Sequence, residues 1–201
     1  TWAYFEHFVN SEQNWLPPDN FQEQPVARVA ERTSPTNIGM YLLSALSAYD
    51  FGYVSIGELI ERIERTFAAL DKMERYRGHF YNWYSTADLK PLHPMYISTV
   101  DSGNLSGHLI TLRGGLAEVR HEPIIPQRWQ QGLHDTIAIT LEEVDSVLGE
   151  TDVPTERDNL EAVRNQLQQL DSEVVSSKDG LTTIVAMLAH AGKVTSEIER
   201  A

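Results

Sequence analysis

Apolar residues recur at intervals of three and four along most of this chain, so it reads as a series of helices. Trp2, Phe5, Phe8 and Val9 set a short amphipathic helix over residues 2–10. The next pattern, Ile38-Gly39-Met40-Tyr41-Leu42-Leu43-Ser44-Ala45-Leu46, is apolar almost all round and predicts a buried helix in a multi-helix array. Ser34 or Thr36 is positioned to cap it, with Pro35 in its first turn. Gly52 is a C-terminal stop, and Ser55-Ile56-Gly57-Glu58 is a capping box opening a third helix to about Arg75. Leu59, Ile60, Ile63, Phe67 and Leu70 form its apolar stripe, with Glu61, Arg62, Glu64, Arg65 and Asp71 on the wet face. Three more helices follow, over 128–149, 155–175 and 180–199. Their apolar positions are Leu133, Ile137, Leu141, Val144 and Leu148; Leu160, Val163, Leu167 and Leu170; and Leu181, Ile184, Val185 and Leu188.

Two stretches break this rhythm. Trp15-Leu16-Pro17-Pro18-Asp19-Asn20-Phe21-Gln22-Glu23 contains paired prolines that forbid a regular helix, so it is an extended loop. It sets polar side chains beside Trp15 and Phe21, and its plain alternative is a solvated connection. The second stretch, Arg77 to His108, holds Tyr81, Trp83, Tyr84, Tyr96, His79, His93, Asn82, Asp88, Asp101 and Asn104 with little aliphatic content. Phe80, Trp83 and Tyr84 favour strand, and Pro91 and His93-Pro94 break the chain. A short two-stranded excursion is predicted, about 79–84 with 96–100. Asp101-Ser102-Gly103-Asn104 is a tight turn capping the helix that carries His108, one turn in and on the face of Asn104. This stretch reads as the lining of a polar groove on a helical scaffold.

Composition narrows the chemistry. The 201 residues are 41% hydrophobic and 22% charged, ordinary for a globular domain. A net charge of −13 argues against nucleic acid or an anionic membrane as the main partner, and leaves a neutral ligand open. Residues 123–201 hold 14 acids and 6 bases, with Trp129 the single aromatic, and read as scaffold or partner surface. Absence of Cys excludes disulfides, thiolate metal sites and a cysteine nucleophile. The seven His are scattered without metal-ligand spacing, so no metal is expected. No phosphate-binding loop is present. A triad of Ser102, His79 and Asp101 lacks a nucleophile-elbow sequence. No stretch is apolar for the roughly 20 positions a membrane span needs, so no direct membrane insertion is expected. Paired carboxylates are the more serious option, because glycoside hydrolysis needs two of them at roughly 5–10 Å. Asp19, Glu23, Glu31, Asp88 and Asp101 lie near the aromatic loops, without spacing that pairs any two.

The segments TWAYFEHFV, NWLPPDNFQEQP, VAERTSPTNIGMYLLS, RYRGHFYNWY and ISTVDSGNLSGHL closely resemble bacterial cyclic β-1,2-glucan synthases, at the opening of their central glycoamylase-like domain. The match is specific through about Leu112 and rests on helical character beyond. It implies an all-α fold of (α/α)6-toroid type, with residues 1–122 the sugar-binding part and 123–201 an acidic helical segment continuing the same domain. It further implies a parent enzyme at the cytoplasmic side of the inner membrane that uses UDP-glucose in a separate glycosyltransferase domain. The central domain would close the glucan by transglycosylation.

By this resemblance Asp19, Asn20, Gln22, Glu23, Arg32, Thr33, Ser34, His79, Tyr81, Asn82, Trp83, Asp101, Ser102 and Asn104 line the glucan groove. Asp19 and Asp101 are weak catalytic candidates, and the downstream Glu-containing motifs of the family have no counterpart in residues 113–201. Seven helices against about twelve in such a toroid lead us to expect the first half of the domain, which would be inactive alone and bind no cofactor. Its partners would be β-1,2-glucan and the remaining domains of the parent, and a homodimer is one way to bury its open side. The alternative function is a non-catalytic helical binding or assembly module within the same large enzyme.

Overall fold

The computed structural model describes residues 2–176. The predicted helix over 180–199, with Leu181, Ile184, Val185 and Leu188, lies outside them. Six α-helices are present among the described residues: α1 (Trp2–Phe8), α2 (Pro35–Asp50), α3 (Ile56–Lys72), α4 (Thr99–Val119), α5 (Trp129–Glu150) and α6 (Pro154–Ser176). Among the same residues six two-residue strands form three antiparallel pairs: β1 (Phe21–Gln22) with β2 (Arg28–Val29), β3 (Arg32–Thr33) with β6 (Tyr84–Ser85), and β4 (Arg75–Tyr76) with β5 (His79–Phe80). The fold is all-α, as expected. No described helix is long and apolar enough to cross a membrane.

The chain divides into two compact units. The first runs to Asp50 and resumes over Val54–Ile124; the second comprises Phe51–Tyr53 and the residues from Ile125 onward. Within the first, α2 is the central element. Ile38, Tyr41, Leu42 and Ala45 are fully buried there, and burying an aliphatic side chain contributes about 1.5–3 kcal/mol. The Ser34 hydroxyl caps α2 by accepting the Asn37 N–H at 3.2 Å, which leaves Thr36 free for other work.

Helices α2 and α4 run parallel, as contacts in rising register along them and just past the end of α4 show. Thr36 meets Asp101 and Asn104, Gly39 lies under His108, Leu46 lies against Gly115, and the Tyr49 hydroxyl donates to Glu122 at 3.0 Å. Their N-terminal ends therefore share one end of the unit. Helix α3 starts as the capping box predicts, with the Ser55 hydroxyl accepting the Glu58 N–H at 3.2 Å. It ends at Lys72 rather than Arg75 because Met73 turns extended and buries its side chain. The stripe also shifts. Leu59, Ile63 and Leu70 are buried, but Ile60 and Phe67 are exposed, and Thr66 and Ala69 take their places. Fully buried Thr66 is satisfied by carbonyls of Trp15 and Arg62.

The short β excursion pairs differently from the expectation. His79–Phe80 folds back on Arg75–Tyr76, while Tyr84–Ser85 crosses to Arg32–Thr33. Residues 96–98 form no strand, although the Tyr96 carbonyl accepts the Asn82 N–H at 3.0 Å. Asp101–Asn104 is not a turn. Ser98 caps α4 through the Asp101 N–H at 3.1 Å, so these residues lie within the helix and His108 falls well inside it.

In the second unit α5 and α6 pack through Ile137, Val163, Leu167, Leu170 and Val174, with Trp129, Leu133, Leu141 and Val144 at the margin. Gly52 sits at φ +77, and its carbonyl lies where a β-carbon on Gly132 would stand, at 2.2 Å. His134 Nδ1 and Asp171 Oδ1 are 2.5 Å apart across the helix pair.

Candidate functional site

Both parallel helices begin at the end of the first unit that carries the two irregular stretches. Helix α1 clamps the first of these. The Tyr4 hydroxyl donates to the Pro18 carbonyl at 2.9 Å, and Phe8 packs on Phe21 with centroids 4.9 Å apart. Burial raises the Tyr4 pKa above its ordinary value, and the nearby Asp19 carboxylate adds to the rise. The Asp19 N–H donates to Ala30 and the Ala30 N–H to Asn20, extending the β1–β2 hairpin back to Asp19.

Asp19 is thereby held as a hub. Its Oδ2 accepts from Arg32 Nε at 3.2 Å, Arg32 Nη2 at 2.9 Å and Asn20 Nδ2 at 3.2 Å. Its Oδ1 accepts from Asn37 Nδ2, in the first turn of α2, at 3.2 Å. The Arg32 guanidinium then lies over Trp83, 4.7 Å from the ring centroid. Trp83 reaches this position because β6, which starts at the next residue, pairs with β3, which carries Arg32. Behind these strands Asn14 Nδ2 donates to the carbonyls of Thr86 at 2.7 Å and Ala87 at 2.9 Å, and Gln13 accepts from the Thr86 hydroxyl.

A second polar group sits on the adjoining residue of α2. The Thr36 hydroxyl donates to Asp101 Oδ1 at 2.5 Å and accepts from Asn104 Nδ2 at 3.1 Å. Neighbouring residues Thr36 and Asn37 thus tie Asp101 and Asp19 to one helix end. Both were missed as site residues in the sequence. The signal is an amide and a hydroxyl in the first turn of an apolar helix, a pattern that fits capping and, at a helix N-terminus beside Arg32, equally fits holding an anion or a sugar hydroxyl.

An open cleft of about 490 Å³ adjoins Asp19, lined by Asn20, Gln22, Arg28, Val29, Ala30, Glu31, Arg32 and Leu92. Arg28 is a lining residue with no signal in the sequence, and Glu31, one of the five carboxylates near the aromatic loops, joins the cleft although the resemblance does not place it there. Planar amide, carboxylate and guanidinium groups in one cleft with the aliphatic Val29 and Leu92 are suited to adjacent hydroxyls on a ring with an apolar face.

The remaining expected residues are dispersed. Glu23 is exposed in the β1–β2 hairpin loop, and His79 is exposed on the separate β4–β5 hairpin. Thr33 is fully buried, and Ser34 is occupied as the α2 cap. Tyr81 packs on Tyr84 at 6.3 Å, and Asn82 is buried with its side-chain oxygen unpartnered among the described residues. Ser102 lies in the first turns of α4, its carbonyl accepting from the Ser106 hydroxyl. Trp15 turns away, with its ring under Arg65 of α3 at 4.2 Å. Asp88 is exposed and pairs with Lys90, and hydrogen bonds from Ser85 and the Lys90 N–H lower its pKa. No metal-ligating cluster exists among the described residues.

Fold and site together define a helical domain with a polar cleft at the N-terminal ends of two parallel helices. Over 170 residues the chain is 46% identical to the cyclic beta-(1,2)-glucan synthase NdvB of Rhizobium meliloti (strain 1021), a span covering 84% of this chain. The chain is therefore related to a segment of a cyclic β-(1,2)-glucan synthase, and it spans 6% of that relative's length. No family model matches it. A solved Bacteroides fragilis structure assigned as a glucoamylase overlaps 58% of this chain and 32% of its own, at TM-score 0.47 and 18% identity. A likeness of that extent has no bearing on the fold or the site.

Proposed function

We propose that the cleft beside Asp19 binds β-1,2-linked glucan, as one part of the glucan-transferring domain of a cyclic β-1,2-glucan synthase. The observation that carries this reading is the arrangement of Asn20, Gln22, Arg28, Glu31 and Arg32 around an open cleft, with Asp19 and Trp83 fixing the guanidinium of Arg32. Fixed planar donors and acceptors discriminate hydroxyl geometry without needing net charge. The face of Trp83 under Arg32 is already covered, so the Trp contributes by holding the arginine rather than by stacking on sugar there. The identity to the synthase supports a glucan as the ligand class.

In this reading Asp19 and Asp101 position other groups: each is committed to donors from α2 or its loops, and neither carries a catalytic step in this chain alone. The parallel α2 and α4 are the first inner helices of a toroid. The UDP-glucose-dependent step belongs to another domain of the same polypeptide, on the cytoplasmic side of the inner membrane. Calorimetric titration of the chain with linear β-1,2-gluco-oligosaccharides, with β-1,4 oligomers as control, tests the proposal. Heat selective for the β-1,2 linkage is expected; a folded sample giving no heat with either series sinks it.

The second reading, an assembly module, draws on exposed Ile139, Val147 and Val175 along α5 and α6. The full synthase separates the two. Loss of cyclisation on Arg32→Ala with assembly intact favours the glucan reading, whereas loss of assembly on Ile139→Glu with glucan binding intact favours the module.

A further inference from the structure

The strand pair that carries Arg32 and precedes no apolar layer is polar on its buried side. From Tyr81 to Thr86 burial alternates strictly: Asn82, Tyr84 and Thr86 are buried, while Tyr81, Trp83 and Ser85 are half-buried. Thr33, fully buried, is the register partner of Tyr84 and shares its side of the pair. Inner strand faces ordinarily hold Val, Ile or Leu, yet three of these four residues are Thr or Asn.

Two of the four have partners that explain them. The Tyr84 hydroxyl accepts the Tyr81 N–H and donates to the Glu74 carbonyl, and the Thr86 hydroxyl donates to Gln13. The other two do not. Thr33 Oγ1 and Asn82 Oδ1 are buried and reach no partner among the described residues. Each stands beside a residue that shapes the cleft, Thr33 beside Arg32 and Asn82 beside Trp83. A bare oxygen in such a place costs about 1–3 kcal/mol, and buried polar atoms are bonded to protein or to ordered water. With Thr33 opposite Tyr84, Asn82 is its diagonal neighbour on that face, at the roughly 7–8 Å typical of such pairs. One water fits between two side chains so placed.

We infer that Thr33 and Asn82 are positioning residues for the cleft, hydrogen-bonded to one another through an internal water across the strand pair. What the bridge fixes is register. Strands β3 and β6 are two residues each, so backbone pairing alone specifies it weakly, and a slip of one residue would turn Trp83 inward and Asn82 outward. In the observed register Arg32 pairs with Ser85 and shares the outer face with Trp83, where the ring holds the guanidinium at the cleft. The consequence for binding rests on the glucan reading of that cleft; the bridge itself does not.

The test uses the double variant Thr33→Val/Asn82→Leu, with Thr33→Ser as the variant that keeps the hydroxyl. Removing both polar partners while keeping their shape leaves stability nearly unchanged. The Arg32 Nε–H signal, read by NMR without ligand, reports the ring current of Trp83, and Trp83→Leu gives its position without the ring. In the double variant it is expected to move most of the way to that position, and in Thr33→Ser to stay. Affinity for β-1,2-gluco-oligosaccharide should fall about tenfold or more in the double variant. The unaltered chain should show transfer of magnetisation from a long-lived water to the Thr33 methyl protons. An unmoved Arg32 signal in the double variant overturns the inference, as does an equal move in Thr33→Ser, or no such water. If the double variant does not fold, Thr33→Val against Thr33→Ser makes the same comparison. Affinity kept after the signal has moved also overturns it. An unaltered chain that binds no glucan, with the Arg32 signal moving as expected, sinks the sugar reading and supports the bridge.

Discussion

Gly39 of α2 lies directly beneath the imidazole of His108 on α4: a β-carbon at position 39 would stand 2.2 Å from His108 Nδ1. That contact sets how closely the two parallel helices approach, and through Thr36, one turn earlier, how Asp101 meets the end of α2. Gly39→Ala is expected to destabilise the first unit by about 1–3 kcal/mol, the usual cost of overpacking. His108→Ala in the same background should recover most of the loss, giving a coupling of about 0.5–3 kcal/mol in a denaturant double-mutant cycle. Additive losses would show that the ring does not set the helix spacing.

Arg32 separates binding from folding. Its side chain is half exposed, and its ion pair with Asp19 lies near the surface, so Arg32→Ala should cost less than about 1 kcal/mol of stability. Affinity for β-1,2-gluco-oligosaccharide should nevertheless fall about tenfold or more, the scale of a lost charged hydrogen bond. Arg32→Lys should fail to restore it, because an ammonium neither forks onto a carboxylate nor stacks as a plane on Trp83. Calorimetric titration alongside thermal unfolding reads both quantities.

Tyr84 is fully buried, its hydroxyl accepting the Tyr81 N–H at 2.8 Å and donating to the Glu74 carbonyl at 2.6 Å. Burial pushes its pKa up to about 12. A folded-state value above the unfolded one, near 10, gives stability that is intact below pH 10 and lost as pH rises through 12. Tyr84→Phe should remove that alkaline dependence and cost about 1–3 kcal/mol at neutral pH, since two backbone groups lose their partner. Urea midpoints at pH 7 and above pH 10 test this.

The second unit has its own pH response. A hydrogen bond to Asp171, and then the charge of that carboxylate, raise the pKa of His134 above its ordinary 6.5. The protonated pair therefore favours the folded α5–α6 hairpin fully below about pH 6.5 and progressively less as pH climbs through the raised value. His134→Gln should unfold at lower temperature than the parent sequence under mildly acidic conditions, with the gap closing at alkaline pH. A gap that stays constant across this range would assign the contact to packing.

The caps and periodicities were local, and the chain carried them on its surface as text. Ser55 with Glu58, Ser34 before Pro35, and the apolar positions around Ile137 and Val163 each needed only their own neighbours to specify a helix. Asp19, Arg32, Trp83 and Asp101 stand out as groove candidates by residue type and resemblance, and the structure ties Arg32 to both Asp19 and Trp83. Three features had no local signature. The two-residue strands are too short to carry a period, so residues 32–33 and 84–85 pair only because the intervening helices return the chain there. Ser98 and the Asp101–Ser102 pair were equally good caps by composition. The choice fell to Ser98 because Asp101 is drawn into α4 by Thr36, while Leu105 and Leu112 bury on that helix. Trp15 and Trp83 looked alike as aromatic surfaces, yet one lies under Arg65 and the other under Arg32. The sequence by itself determined which segments are helical and which stretches gather polar and aromatic side chains, because those depend on side chains a few positions apart. Only the tertiary structure decided which of those residues meet, because each such contact joins positions far apart in the chain and is fixed by how α2 and α4 pack.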